Sequence, residues 1–188
     1  MFKKIFLFLR EIIKLAAIAL VIIVPVRYFL IQPFYVKGTS MEPNFHNYEY
    51  LIIDEISYRF NLPQRGEVVV FRYPRDPQEH FIKRIIGLPG EDVQIKDNHV
   101  YIYNKEHQNG FVLNETYLDP SEVTLANNEN RITLKADEYF VLGDNRDASQ
   151  DSRFFGPVNK SFITGRVWLR GLPLNKIKVF TKNNLPKY

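Results

Sequence analysis

The sequence predicts a mainly β protein, mostly antiparallel, carried behind an N-terminal transmembrane helix. Three observations predict it. An apolar run lies near the N-terminus. A series of short β-rich segments follows, set off by proline, glycine and asparagine. A polar, irregular stretch, residues 104–135, interrupts that series like an insertion.

The apolar run, Ile12–Ile31, holds 20 residues, mostly Ile, Leu, Val and Ala. As a helix rising about 1.5 Å per residue it spans roughly 30 Å, the hydrocarbon thickness of a bilayer. Lys14 and Arg27 lie toward its opposite ends, where long basic side chains reach the headgroups. Pro25 predicts a kink, which a membrane segment tolerates. Lys3, Lys4, Arg10 and Lys14 flank the N-terminal side, so 1–11 is expected in the cytoplasm and everything after residue 31 outside. A cleaved secretory signal is the alternative, but Phe34-Tyr35-Val36-Lys37 offers no small-x-small exit. A buried core helix fits less well, because the segment is apolar on all faces.

The strands follow in order: Glu49–Ile56, Glu67–Tyr73 and His80–Gly87, then a hairpin "DVQIKDNHVYIY" turning at Asp97-Asn98, then Glu138–Gly143 and Phe162–Gly171. No amphipathic helix is expected after the anchor. The chain lacks cysteine, which removes disulfides, zinc-thiolate sites and cysteine nucleophiles.

Charge placement narrows the partners. Residues 1–27 carry a net +4, the tail from Lys176 onward another +4, and 28–175 a net −4. A nucleic-acid binder usually shows a basic body, so nucleic acid is set aside. Basic ends on a slightly acidic body suit an anionic lipid bilayer.

Four strings stand out: "GTSMEP" (38–43), "RGEVVVF" (65–71), "FIKRIIGLPGE" (81–91) and "GDNRDASQDSRFFG" (143–156). Each alone reads as loop or turn chemistry. Lys83 alone reads as a surface lysine, and Met41 and Phe45 alone read as cleft, lipid-facing or core residues. A serine nucleophile needs a base, and His46, His80, His99 and His107 sit in no motif that marks a triad. A serine–lysine pair avoids histidine only if the lysine is neutral. At its ordinary pKa of about 10.4 only about one lysine in 2,500 is neutral at pH 7; a value near 8 makes that about one in ten, at a cost near 3 kcal/mol. Phe81, Ile82, Ile85 and Ile86 around Lys83 supply the desolvation that such a shift requires.

In this order, behind an N-terminal anchor, the strings resemble the type I signal peptidases over nearly the whole chain; only 104–135 is unmatched. The resemblance implies a membrane-anchored serine endopeptidase that removes signal peptides from exported preproteins after small-x-small sites. It also implies an antiparallel β catalytic core (32–91 and 138–182), an inserted smaller β subdomain (92–137) and a tail (183–188), with no cofactor or metal. It makes Ser40 the nucleophile and Lys83 the general base. It pairs Asp144 with Arg84 and Asp151 with Arg153, so that Ser149 reaches and orients Lys83. The Ser40 backbone N–H is the first oxyanion donor. Some members carry a hydroxyl where this chain has Gly38, which leaves the second donor open between a Gly38 backbone contact and bound water. Asn44 stands where the common pattern has threonine, and Glu91 where it has aspartate. The rival readings are a non-catalytic tethered module that binds exported chains and a dedicated peptidase with a narrow client such as a pilin; oligomeric state is open. Ser40 lies nine residues past Ile31, a reach of at most about 30 Å, so the nucleophile is expected close to the outer membrane face.

Overall fold

The computed structural model describes residues 2–29, 31–127, 129–181, 183, 185 and 186, and the side chains at 2, 3, 22, 24–29, 31 and 32 lie outside the described set. The chain opens with helix α1, Phe2–Phe29. It begins within the segment expected to precede the anchor and runs through it unbroken, because no glycine or proline precedes Pro25. Its large apolar side chains, among them Phe6, Ile13, Leu15, Leu20 and Val21, are exposed. Among the described residues, no helix is long and apolar enough to cross a membrane. The described stretch Lys4–Val21 carries Lys4, Arg10, Glu11 and Lys14; the side chains of Pro25 and Arg27, on which a kink and the outer basic flank were expected, lie outside the described residues.

Ile31 opens a strand rather than closing a helix. Strand β1 (Ile31–Tyr35) pairs antiparallel with β2 (Tyr50–Asp54), and Pro33 is tolerated because β1 is an edge. The larger sheet continues with β3 (Val68–Tyr73), β4 (Asp76–Gly87), β9 (Glu138–Leu142), β10 (Val158–Asn159), β11 (Ile163–Leu172) and β12 (Lys178–Val179). Its order is β1-β2-β11-β3-β4-β9-β10, with β12 on β11. A four-stranded sheet, β7-β6-β5-β8, is built from β5 (Asp92–Lys96), β6 (His99–Tyr103), β7 (Phe111–Val112) and β8 (Ile132–Thr133). Asp97 and Asn98 take φ of 49° and 62° between β5 and β6, the left-handed pair a two-residue hairpin favours. The protein is therefore mainly antiparallel β.

After α1 the described residues hold two single-turn α-helices, too short to present an amphipathic face. They are α2 (Ser57–Phe60) and α3 (Ser152–Phe155). Asp151 caps α3, accepting from the Arg153 N–H at 3.3 Å, whereas α2 has Ile56 at its cap and the preceding Asp54 accepts from the Ser57 N–H at 3.0 Å. Met41 and Phe45, each 1% exposed, pack with Val36, Leu51, Ile53 and Val70, so both are core residues. Behind the small sheet, Val93, Ile95, Val100 and Ile102 meet Ile86, Phe140 and Leu142 from β4 and β9.

Candidate active site

The Ser40 turn is fixed from several sides. Gly38 has φ +90°, a conformation L side chains rarely adopt, and its N–H donates to Asn47 Oδ1 at 3.1 Å. The Glu42 N–H donates to the Thr39 carbonyl at 3.0 Å, and the Phe45 N–H to the Met41 carbonyl at 2.8 Å. The Ser40 carbonyl accepts from the Asn145 N–H at 3.1 Å, which ties the turn to the "GDNR" loop.

Lys83 reaches this turn from the buried half of β4. Its residue is 4% exposed, and its Nζ donates to Ser40 Oγ at 2.8 Å and to the Ile82 carbonyl at 2.9 Å. Burial pulls the Lys83 pKa down to about 8, against the opposing pull of the Asp151 and Asp144 charges.

Arg84, next along β4, makes a two-pronged contact with Asp144, Nε to Oδ1 at 2.8 Å and an Nη to Oδ2 at 2.6 Å. It also donates to the Gly66 carbonyl at 2.8 Å. Asp151 holds Arg153 at 2.8 and 2.9 Å and accepts from the Gly143 N–H at 3.1 Å. Glu91 serves the same purpose lower down, taking Arg65 at 2.6 and 2.7 Å and the Leu88 N–H at 2.9 Å. The Arg65 of "RGEVVVF" and the Glu91 of "GLPGE" thus meet as an ion pair.

Ser149 is placed differently from the expectation. It is buried beside this cluster, but its Oγ has no hydrogen-bond partner among the described residues. The Lys83 amine is instead held by Ser40 and by the carbonyl of the residue before it. Gly143 explains how Ser149 comes so near. A Cβ on Gly143 would lie 2.2 Å from Ser149 Oγ and 2.5 Å from the Ser40 carbonyl oxygen, so only glycine leaves room. The Gly38 N–H, an expected candidate for the second oxyanion donor, is taken by Asn47.

Sequence reasoning missed Arg146, and singled out Asn44 without its partners. Arg146, fully buried, donates from Nε to the Gly143 carbonyl at 2.9 Å and clamps Glu115 at 2.5 and 3.1 Å. Asn44 donates to Asp144 and to the Tyr117 carbonyl. Both join the site to the polar stretch 104–135. Arg146 stood inside the "GDNRD" string, a signal that went unused.

A groove of about 700 Å³ ends at Ser40 and Lys83; it runs between Phe34–Val36 and His80–Lys83 over Leu51 and Val70. Both walls offer backbone. β1 has a partner on one side only, and β9 pairs with β4 only at Arg84–Gly87. A second cavity of about 470 Å³, between Phe45, Arg170 and Phe180, lies on the other side of the turn and includes neither Ser40 nor Lys83.

A hydroxyl touching a buried amine of lowered pKa, at the end of an open groove, is equipment for acyl transfer of the serine hydrolase class. The chain belongs to the signal peptidase family, peptidase S26, whose model matches residues 9–171. It is 36% identical over 177 residues to a probable signal peptidase I-2 of Synechocystis sp., covering 91% of this chain and 77% of that protein. It is 33% identical over 173 residues to signal peptidase IB of Staphylococcus aureus, covering 86% and 88%. A crystal structure of a signal peptidase I from Enterococcus faecalis is 35% identical and aligns with a TM-score of 0.46 over 57% of this chain and 97% of that one. The protein is accordingly a serine endopeptidase whose substrates are preproteins carrying signal peptides.

Proposed function

We propose that Ser40 is the nucleophile and Lys83 the general base of signal-peptide cleavage after small-x-small sites, at the outer face of a membrane. The observation that carries the reading is the 2.8 Å contact between Lys83 Nζ and Ser40 Oγ with the lysine buried. With a pKa of about 8, about one lysine in ten is neutral at pH 7 and ready to accept a proton. The substrate lies extended in the groove and adds a strand to its open edges. Ser40 Oγ attacks the scissile carbonyl and Lys83 takes its proton. Lys83 then protonates the departing amine. Water, deprotonated by the same lysine, hydrolyses the Ser40 ester. The Ser40 N–H, which makes no hydrogen bond among the described residues, serves as an oxyanion donor. Arg84–Asp144 and Asp151–Arg153 hold the loops in place, and Ser149 fills the space beside the dyad.

In this reading 32–91 and 138–182 form the catalytic core, 92–137 is an inserted subdomain, and α1 is a single-pass anchor with its N-terminus in the cytoplasm. Exposed apolar side chains from Ile5 to Ile23 support lipid as the surroundings of α1.

The test is a pH–rate profile of cleavage of a preprotein bearing an Ala-x-Ala site. Turnover is expected to rise with pH through about 8 as Lys83 loses its proton. Lys83→Ala and Ser40→Ala are expected to lose at least about 10³-fold in kcat. Wild-type turnover by either variant would sink the dyad.

A further inference from the structure

Asn44 stands where the resemblance predicts threonine, and the structure gives its amide two partners. Its Nδ2 donates to Asp144 Oδ2 at 3.0 Å and to the Tyr117 carbonyl at 2.8 Å. The same Asp144 oxygen accepts from Arg84 at 2.6 Å, and Arg84 is the neighbour of Lys83 on β4. The Tyr117 ring lies against the Arg84 guanidinium, 4.0 Å from its centroid. The turn that carries Ser40 is therefore fastened to the "GDNR" loop twice: by the Ser40 carbonyl to Asn145, and by the Asn44 side chain to Asp144. Through Asp144 and Arg84 the second fastening passes to the strand that carries the base.

The chemistry of the bridge needs an amide. An –NH₂ offers two donors, and both are used here, whereas a threonine hydroxyl has one. An aspartate at 44 would face the Asp144 carboxylate with like charge. The charged and titratable groups around this point are Asp144, Arg84, Lys83, Arg146 and Glu115, with His46, Glu67, Arg166 and Arg170 on the cavity that Asn44 also lines. We propose that Asn44 is a positioning residue for signal-peptide cleavage, setting the Ser40–Lys83 separation by bridging Asp144 to the Tyr117 carbonyl. The inference rests on the assignment of Ser40 and Lys83.

The experiment uses the full-length chain in detergent micelles and a synthetic signal-peptide substrate with an Ala-x-Ala site. Thermal melts of each variant report folding. Asn44→Ala is expected to lower kcat by about 10–100-fold with KM within about twofold, since the lost interaction aligns groups rather than binds substrate. Asn44→Thr is expected to fall between Asn44→Ala and wild type, because one donor is restored. Asn44→Asp sets two carboxylates against each other that resist ionising together. Its kcat is expected to fall at least as far as that of Asn44→Ala. A folded Asn44→Ala with wild-type kcat, a loss confined to KM, or a folded Asn44→Asp as active as wild type would each overturn the proposal. Lys83→Ala run alongside keeps the two ideas separate: its full activity would overturn the base assignment whatever position 44 does.

Discussion

The interior behind the small sheet and the seam beside Ser40 are both closed to water, and they are built from opposite materials. Behind β5 and β6 the side chains are aliphatic: Val93, Ile95, Val100 and Ile102 against Ile86 and Leu142. In the seam they are charged: Lys83, Arg84, Asp144, Arg146 and Asp151 are all buried. Apolar contact is non-directional and adapts to small shifts. Paired charges hold distances, as at Arg84–Asp144, but removing one partner strands the other. The difference separates holding the fold from holding the geometry of one hydroxyl and one amine.

Three substitutions would break or sharpen that contrast. Asp144→Ala leaves Arg84 buried without its carboxylate, and urea denaturation is expected to show a loss of about 3–5 kcal/mol. The Asp144 charge also raises the Lys83 pKa, so the acid limb of the pH–rate profile is expected to move to lower pH. An unmoved limb would place Asp144 outside the electrostatics of the site. Ile102→Ala, in the aliphatic interior, is expected to lose about 2–5 kcal/mol by the same measurement. Its turnover per folded molecule and its pH profile should match wild type; a shifted profile would erase the distinction between the two regions. Lys83→Met is expected to gain stability, up to about 3 kcal/mol near neutral pH, while losing turnover. The folded lysine titrates near 8 and the unfolded one near 10.5, so the unfolded chain holds the extra proton between them. The penalty in the wild type is full below that window and fades as pH rises through it, and the Met variant's advantage should fade likewise.

The strands that show best in the sequence are those whose own residues prefer to be strands. "EVVVFRY" is nearly all β-branched or aromatic, and Asp97-Asn98 announces the hairpin. β1 was hidden because "IQPFY" continues the apolar run of α1 and contains proline; its strand state depends on pairing with β2, about twenty residues on. Ser40, Lys83, Arg84, Asp144, Asp151 and Arg153 were readable because each sits in a compact string. The bridges of Asn44 and Arg146 were not, because their partners, Tyr117, Glu115 and Thr124, lie in the stretch 104–135 that looked like mere insertion. That the Ser149 hydroxyl meets no partner among the described residues was likewise unreadable, since it depends on which acceptors Lys83 selects in three dimensions.

The seam has a consequence in time. Asn44 and Asp144 are 100 residues apart, and Ser40 waits for Asn145 to hold its carbonyl. A ribosome adding about 5–20 residues per second needs about 5–20 s to pass from one to the other. For that interval a growing chain carries Ser40, and from residue 83 onward Lys83 as well, without the loop that fixes their separation. Strand β11, which fills the place between β2 and β3, is made later still, so the sheet that carries the seam closes only after Leu172.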